Sequence, residues 1–339
     1  MASEFRRVAV IGSGSWGTAA AGLVARNSDE VCVWARTVAV ADSICERHVN
    51  PKHLSDYVLP ENVVATDSLE GAAAGADCIV VAVPSAFVRG VMHDLAPHAD
   101  QSCPVVVLTK GVEGGSHKLM TDVVADELGN PSRVAALSGP NHAEEIWQGM
   151  VSAAVVAAGD AELALRLQSL FHSKTFRTYC SSDLTGVEVC AAAKNVVAIA
   201  CGACAGNGMG DNALAVVMTR GLAEISRIVA AVGGDPMTCM GLAGMGDLVA
   251  TCTSPHSRNR SFGELLSRGV TLAEYEERSG MVVEGARAAQ SIWELASELS
   301  IETPLTNAVH AVLYENIGAT EAFDLLLERS PRQEFYGLR

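Results

Sequence analysis

Basic residues are scarce in this 339-residue chain: 24 Lys and Arg stand against 39 Asp and Glu, a formal net charge of -15. So acidic a chain repels the phosphate backbone of nucleic acids and the headgroups of anionic lipids, and neither is expected as a partner. Any anionic small molecule must then meet a local cluster of cations. Secretion is not expected, because Met1-Ala2-Ser3-Glu4-Phe5-Arg6-Arg7 leads into only Val8-Ala9-Val10-Ile11 before Gly12, too little for a signal-peptide core. Paired spacing is missing among the ten cysteines, and Cys32, Cys78, Cys190 and Cys201 lie in apolar runs as small core side chains, which fits a reducing compartment. Cys201-Gly202-Ala203-Cys204 has C-x-x-C spacing, but it continues a helical pattern with no second cysteine or histidine pair and reads as buried thiols.

Other absences narrow the chemistry. The nine histidines form neither H-E-x-x-H nor H-x-x-E-H, and His48, His53, His142 and His172 stand alone, so no metal is expected. Neither a G-x-S-x-G elbow nor a Walker pattern occurs, which leaves hydrolase and kinase readings without a nucleophile or a P-loop. The longest apolar stretch, 189–209, carries Lys194 and breaks up at Gly202, Gly206, Gly208 and Gly210, so it reads as a buried helix and not as a membrane span. No repeat, low-complexity tract or flexible linker interrupts the chain.

What the chain does have is Gly12-Ser13-Gly14-Ser15-Trp16-Gly17, reached through the run 8–11 and followed by an alanine-rich helical segment. A G-x-G-x-x-G motif gains meaning from this strand–turn–helix context. Gly12 suits the tight turn, Gly14 lets a pyrophosphate approach the backbone, and Gly17 lets the helix lie close to the strand. The next strand ends in Trp34-Ala35-Arg36, where NAD-selective sites carry an acidic residue; a cation there suits the 2′-phosphate of NADP, or tolerance of both cofactors.

Short β-branched runs at 8–11, 31–34, 78–83, 105–108, 134–137 and 153–157 alternate with helix-length segments up to about residue 180. Beyond 183 the spacing is helical only, at 187–204, 212–232, 235–242, 262–267, 285–299, 306–314 and 319–327. The expected architecture is an α/β Rossmann-type domain with a doubly wound, mostly parallel sheet over 1–183, followed by an all-α domain over 184–339.

Several residues could carry a reaction beside a cofactor. Lys194 emerges from an apolar helix face, where lost solvation lowers an ammonium pKa and suits it to exchange a proton near neutrality; a snorkelling core lysine is the bland alternative. Lys110 follows a core strand, at the end where the crevice of such a sheet opens. Ser138-Gly139-Pro140-Asn141-His142-Ala143 offers backbone N–H groups and an amide. Gly241-Leu242-Ala243-Gly244-Met245-Gly246-Asp247 ends in a carboxylate able to orient an ammonium, and Ser257-Arg258-Asn259-Arg260 groups the donors that suit a phosphate. These residues alone leave open a hydroxy-acid or sugar-acid dehydrogenase and a cofactor-binding sensor without turnover.

The motifs named so far, with Val83-Pro84-Ser85, Thr109-Lys110-Gly111, Lys194-Asn195-Val196, Gly210-Asp211-Asn212-Ala213, Thr219-Arg220-Gly221-Leu222 and Thr251-Cys252-Thr253-Ser254-Pro255, run in the order seen in a known family. The chain resembles bacterial-type NAD(P)-dependent glycerol-3-phosphate dehydrogenase along nearly its whole length. The resemblance implies reversible hydride transfer between NAD(P)H and dihydroxyacetone phosphate, giving sn-glycerol 3-phosphate for phospholipid synthesis. It also implies a helical domain like the 6-phosphogluconate dehydrogenase C-terminal domain, a homodimer, a cytoplasmic location and no metal. By the same resemblance Lys194 exchanges the proton, while Lys110 and Asp247 hold the substrate and the lysine. Gly139 and Asn141 line the substrate, and Ser257, Arg258 and Asn259 grip its phosphate. Ser15, Trp16, Arg36, Lys110, Ala143, Arg258, Val282 and Glu284 contact the cofactor beside the three glycines. The chain departs from the family at Ser13, usually Ala, and at Asn141, usually Ser or Thr. The ending Tyr336-Gly337-Leu338-Arg339 is no peroxisomal address.

Overall fold

The computed structural model describes residues 4–279, 283–334 and 336–337. The chain divides into two compact units, Met1–Lys110 with Met120–Leu184, and Gly111–Leu119 with Thr185–Arg339.

The first unit is built on eight strands: β1 (Arg7–Ile11), β2 (Glu30–Trp34), β3 (Val63–Thr66), β4 (Cys78–Val81), β5 (Val105–Val107), β6 (Val134–Ser138), β7 (Ser152–Ala158) and β8 (Phe176–Ser181). Its helices are α1 (Ser15–Val24), α2 (Val38–Arg47), α3 (Leu69–Ala73), α4 (Val88–Leu95), α5 (Met120–Leu128), α6 (Ala143–Trp147) and α7 (Ala161–Phe171). The strands lie in the order β3-β2-β1-β4-β5-β6-β7-β8, parallel throughout except between β6 and β7. Both faces are covered, which is why the central strands read as unbroken apolar runs. Val8, Val10, Val31, Val33, Val80 and Val106 enter one buried cluster, whereas Ala9, Ile11, Ile79, Val81, Val105 and Val107 enter the other. Each such side chain contributes about 1.5–3 kcal/mol by leaving water.

Strand order reverses at β1: the chain goes out to β2 and β3, then returns to β4 on the other side. The loops after β1 and β4 therefore diverge and open a crevice at their carboxyl ends. Gly12 stands at that point.

Two strands escape the sequence reading. β3 is a short edge strand with only three apolar residues in a row, and β8 alternates buried Phe176 and Thr178 with exposed Arg177 and Tyr179, so neither shows a long apolar run. The antiparallel step follows from α6, whose five residues rise only about 8 Å, too little to carry the chain back along the sheet.

The second unit holds α8 (Leu184–Gly206), α9 (Asp211–Ala231), α10 (Asp247–Thr253), α11 (Arg258–Leu266), α12 (Leu272–Ser279), α13 (Glu284–Glu298), α14 (Pro304–Tyr314) and α15 (Ala319–Leu327), with no strand among the described residues of 185–339. The helix expected at 235–242 is instead a 3-10 turn, Pro236–Met240, followed by a π-helical turn, Leu242–Gly246, that runs into α10. Glycine permits this wide turn, since a Cβ on Gly244 would stand 2.2 Å from the Cys239 carbonyl oxygen. The short α10 and α12 were not anticipated.

By length and composition α8 is apolar enough to cross a membrane, yet 83% of its apolar window is buried inside the fold. It crosses α11 at glycine contacts: a Cβ on Gly202 would lie 2.0 Å from the Arg260 carbonyl oxygen, and one on Gly263 2.1 Å from that of Ile199. The two backbones can meet only without side chains there, and this contact holds α11 against the C-terminal part of α8.

Candidate active site

The first unit gathers the glycine turn. Gly12 has φ +121°, and a Cβ on it would meet the Ala82 carbonyl oxygen at 2.7 Å; one on Gly17 would meet the Gly12 oxygen at 2.1 Å. Among the described residues no atom outside the turn lies within 4 Å of a would-be Cβ on Gly14, and no side chain caps the N-terminus of α1. Free N–H groups at an uncapped, unobstructed helix start fit the pyrophosphate of a dinucleotide. Ser15 begins α1, and its hydroxyl lies 3.5 Å from His53 Nδ1. Trp16 is half-buried, 6.5 Å from the Phe176 ring, and its indole N–H has no partner among the described residues. Arg36 is exposed two residues past Trp34, whose carbonyl accepts from the Gly12 N–H at 3.3 Å.

Lys110, Gly139 and Asn141 come together in the same unit. Lys110 Nζ donates to the Gly139 carbonyl at 3.2 Å. Gly139 has φ +151° and a Cβ on it would stand 2.7 Å from the Ala153 oxygen, so β7 runs too close for any side chain. With its nitrogen turned inward, the Asn141 carboxamide donates to the Pro140 and Ala153 carbonyls at 3.1 Å each. Ala143 is buried at the start of α6. Ser138, at the end of β6, has a buried hydroxyl without a partner among the described residues, a polar group that the sequence singles out only as part of its motif.

The second unit gathers a buried ion pair. Lys194, on the central helix α8, donates from Nζ to Asp247 Oδ1 at 2.5 Å and to Thr251 Oγ1 at 2.7 Å. Thr251 in turn donates to Asp247 Oδ1 at 3.3 Å, which closes a triangle of buried groups. Asp247 and Thr251 sit four residues apart on one face of α10, and the π-helical turn before Asp247 delivers it to α8. Thr251 received no role from the sequence; its i+4 spacing from Asp247 was the available signal. Cys201 hydrogen-bonds Cys252, and that contact together with burial pushes its thiol well above the ordinary range. Burial likewise pushes Cys204 up to about 11.

The phosphate-suited group lies beside that triangle's helix. Ser257 caps α11, its hydroxyl oxygen accepting from the Arg260 N–H at 3.3 Å, and Arg258 is exposed at the helix start. Asn259 donates to Asn195 Oδ1 at 3.0 Å and accepts from the Gly285 N–H at 3.0 Å, linking α11 to α8 and to the first turn of α13, where Glu284 stands. Val282, expected to contact a cofactor, lies outside the described residues.

Comparison with known proteins identifies the family. The family described as NAD-dependent glycerol-3-phosphate dehydrogenase matches at its N-terminal part over residues 7–164 and at its C-terminal part over residues 183–324. The chain is 45% identical to a glycerol-3-phosphate dehydrogenase (NAD(P)+) of Halorhodospira halophila, covering 97% of this chain and 98% of that protein. It is 43% identical to one of Mycobacterium tuberculosis, covering 98% and 100%. The crystal structure of the Coxiella burnetii glycerol-3-phosphate dehydrogenase superposes with a TM-score of 0.90 at 37% identity, covering 96% of this chain and 99% of that one. The chain belongs to the NAD-dependent glycerol-3-phosphate dehydrogenase family.

Proposed function

We propose that the protein interconverts dihydroxyacetone phosphate and sn-glycerol 3-phosphate, reversibly, and so supplies the glycerol phosphate backbone of phospholipids. As a family member it is an NAD(P)-dependent oxidoreductase. The observation that carries the reading is the buried Lys194–Asp247–Thr251 triangle, an ammonium fixed by a carboxylate and a hydroxyl. In this reading 1–183 serves the cofactor and 184–339 the substrate.

When bound, a reduced nicotinamide supplies hydride to the ketone carbon. Lys194 gives one proton to the ketone oxygen as negative charge develops there, and takes it back in the reverse direction. Asp247 offsets the ammonium charge and Thr251 holds a second N–H, so the lysine keeps one position through proton transfer. Lys110, Gly139 and Asn141 orient the substrate, and Ser257, Arg258 and Asn259 hold its phosphate. In a protein of net charge -15 these cations are what makes a dianion welcome. Gly12, Gly14, Ser15, Trp16, Gly17, Arg36, Ala143, Lys110, Arg258 and Glu284 hold the dinucleotide, with Arg36 favouring NADPH. No metal is needed, since the ammonium does the work of an electrophile. A cytoplasmic homodimer completes the reading.

The test is the loss of NADPH, and separately NADH, absorbance when dihydroxyacetone phosphate is added to purified protein. Rapid turnover, faster with NADPH and far slower with unphosphorylated dihydroxyacetone, is expected. Cofactor binding without turnover would overturn the reading.

A further inference from the structure

Between α2 and β3 the chain makes a loop that is closed at its neck by the antiparallel bridge Val49–Val58 and by the Leu59 N–H donating to the His48 carbonyl at 2.7 Å. Tyr57, near the loop's end, lies flush on α1: a Cβ on Gly22 would stand 2.0 Å from its hydroxyl. The first residue inside the neck is Asn50, which is 0% exposed. Its Nδ2 donates to the Ser13 carbonyl and to Thr18 Oγ1, each at 2.8 Å. Its Oδ1 accepts from the Lys52 N–H at 3.1 Å and from the His53 N–H at 3.2 Å. Both donors and both lone-pair directions of the amide are thereby used.

The bond to Ser13 has a consequence for the turn. In a trans peptide the C=O and N–H lie in one plane and point in opposite directions, so an anchored Ser13 oxygen fixes the direction of the Gly14 N–H away from Asn50. Thr18 Oγ1 stands 3.5 Å from the same oxygen and holds the amide's second proton, which locks the turn to the first turn of α1.

We infer that Asn50 is a positioning residue for the dinucleotide: it touches no reacting atom, but it presets the Gly14 N–H and the start of α1 in the form that receives a pyrophosphate. The inference rests on the proposed use of the glycine turn for NAD(P). Without Asn50 the turn still forms, since Gly12 and Gly17 remain, but it must be ordered on binding, and affinity falls by that cost. Asn50→Asp separates the two halves of the amide. It keeps the oxygen that serves Lys52 and His53 and replaces the donor that serves Ser13 and Thr18.

The experiment is calorimetric titration of NADPH into wild type, Asn50→Ala and Asn50→Asp, with steady-state kinetics beside it. Both variants are expected to bind NADPH about tenfold or more weakly, Asn50→Asp the worse, and to raise KM for NADPH in the same order. Their kcat at saturating NADPH stays within about twofold, which a general loss of folded structure would not produce. If Asn50→Ala fails to fold, the near-isosteric Asn50→Asp carries the test alone. Variant affinities within about twofold of a wild type that binds NADPH overturn the role of Asn50. A wild type that binds neither NADPH nor NADH overturns the dinucleotide reading itself, and the inference with it.

Discussion

Asp247 Oδ1 stands 2.5 Å from Lys194 Nζ although 53 positions separate them in the chain, and both side chains are almost wholly buried. Breaking such a pair leaves a charge without its partner in a dry layer, at a cost of about 3–5 kcal/mol. Asp247→Asn should therefore lower both the melting temperature and kcat, the latter about 10²-fold or more, with NADPH affinity unchanged. Thr251→Val keeps the ion pair and the side-chain shape; it should cost kcat about tenfold and stability far less, and Thr251→Ser should recover most of the rate. Equal turnover by Thr251→Val and wild type would remove the threonine from the triangle's work.

The phosphate grip is separable from the redox step. Arg258 is exposed at the start of α11 and lies in neither the triangle nor the glycine turn. At saturating NADPH, which offsets any loss of cofactor contact, Arg258→Ala should raise KM for dihydroxyacetone phosphate steeply, about 10²-fold for a lost guanidinium–phosphate contact, and barely change the slow reduction of unphosphorylated dihydroxyacetone. Equal losses for both substrates would refute the phosphate role. In the same assay Arg36→Asp should shift preference from NADPH towards NADH, and an unchanged ratio would exclude that cation from cofactor choice.

Gly202 sets the distance between α8 and α11. Gly202→Ala places a methyl group 2.0 Å from a backbone oxygen of Arg260, which no rotamer change relieves, so the helices must separate. A loss of about 1–3 kcal/mol is expected from such overpacking. Because Asn195 and Asn259 bridge the same two helices, KM for the phosphorylated substrate should rise as well. Denaturant titration and steady-state kinetics on one preparation measure both; a variant as stable as wild type would mean the crossing has slack.

These cases also show what the sequence could and could not announce. The glycine turn was legible because its residues do one local job between a strand and a helix. Lys194 was legible as the one charge in the apolar run 189–209, and the run 257–260 as a local cluster of donors. Asp247 was visible as a carboxylate after glycines, but the π-helical turn that delivers it to Lys194 has no apolar period to read. β8 was missed because an edge strand alternates polar and apolar residues, and Asn50 because its four partners lie in two segments joined only by the fold. Pairings across long sequence separations depend on packing, and no local pattern records them.

Glu224 makes stability depend on pH. It is buried in α9 and accepts from the Leu305 N–H at 2.6 Å, from the Thr306 N–H at 3.1 Å and from the Thr306 hydroxyl at 3.1 Å, capping the start of α14. Burial outweighs those bonds and raises its pKa from 4.5 to about 7. Below the unfolded value both states hold the proton and stability is full. As pH rises towards 7 the unfolded chain releases the proton while the folded one retains it, so stability falls, by on the order of 3 kcal/mol, and levels off above the folded value. His117, raised by its hydrogen bonds to Glu294 and Glu298, acts in the same direction around its ordinary range. The carboxyls of Glu127, Glu274, Glu294 and Glu302 are lowered instead, so their stabilisation is lost only as pH falls below the ordinary carboxylate range, outside this window. Wild type should therefore melt at a higher temperature near pH 5.5 than near pH 8. Glu224→Gln, which keeps an acceptor but cannot ionise, should be less stable overall and should lose most of that slope. Parallel melting curves for the two proteins across this range would show that Glu224 stays ionised throughout.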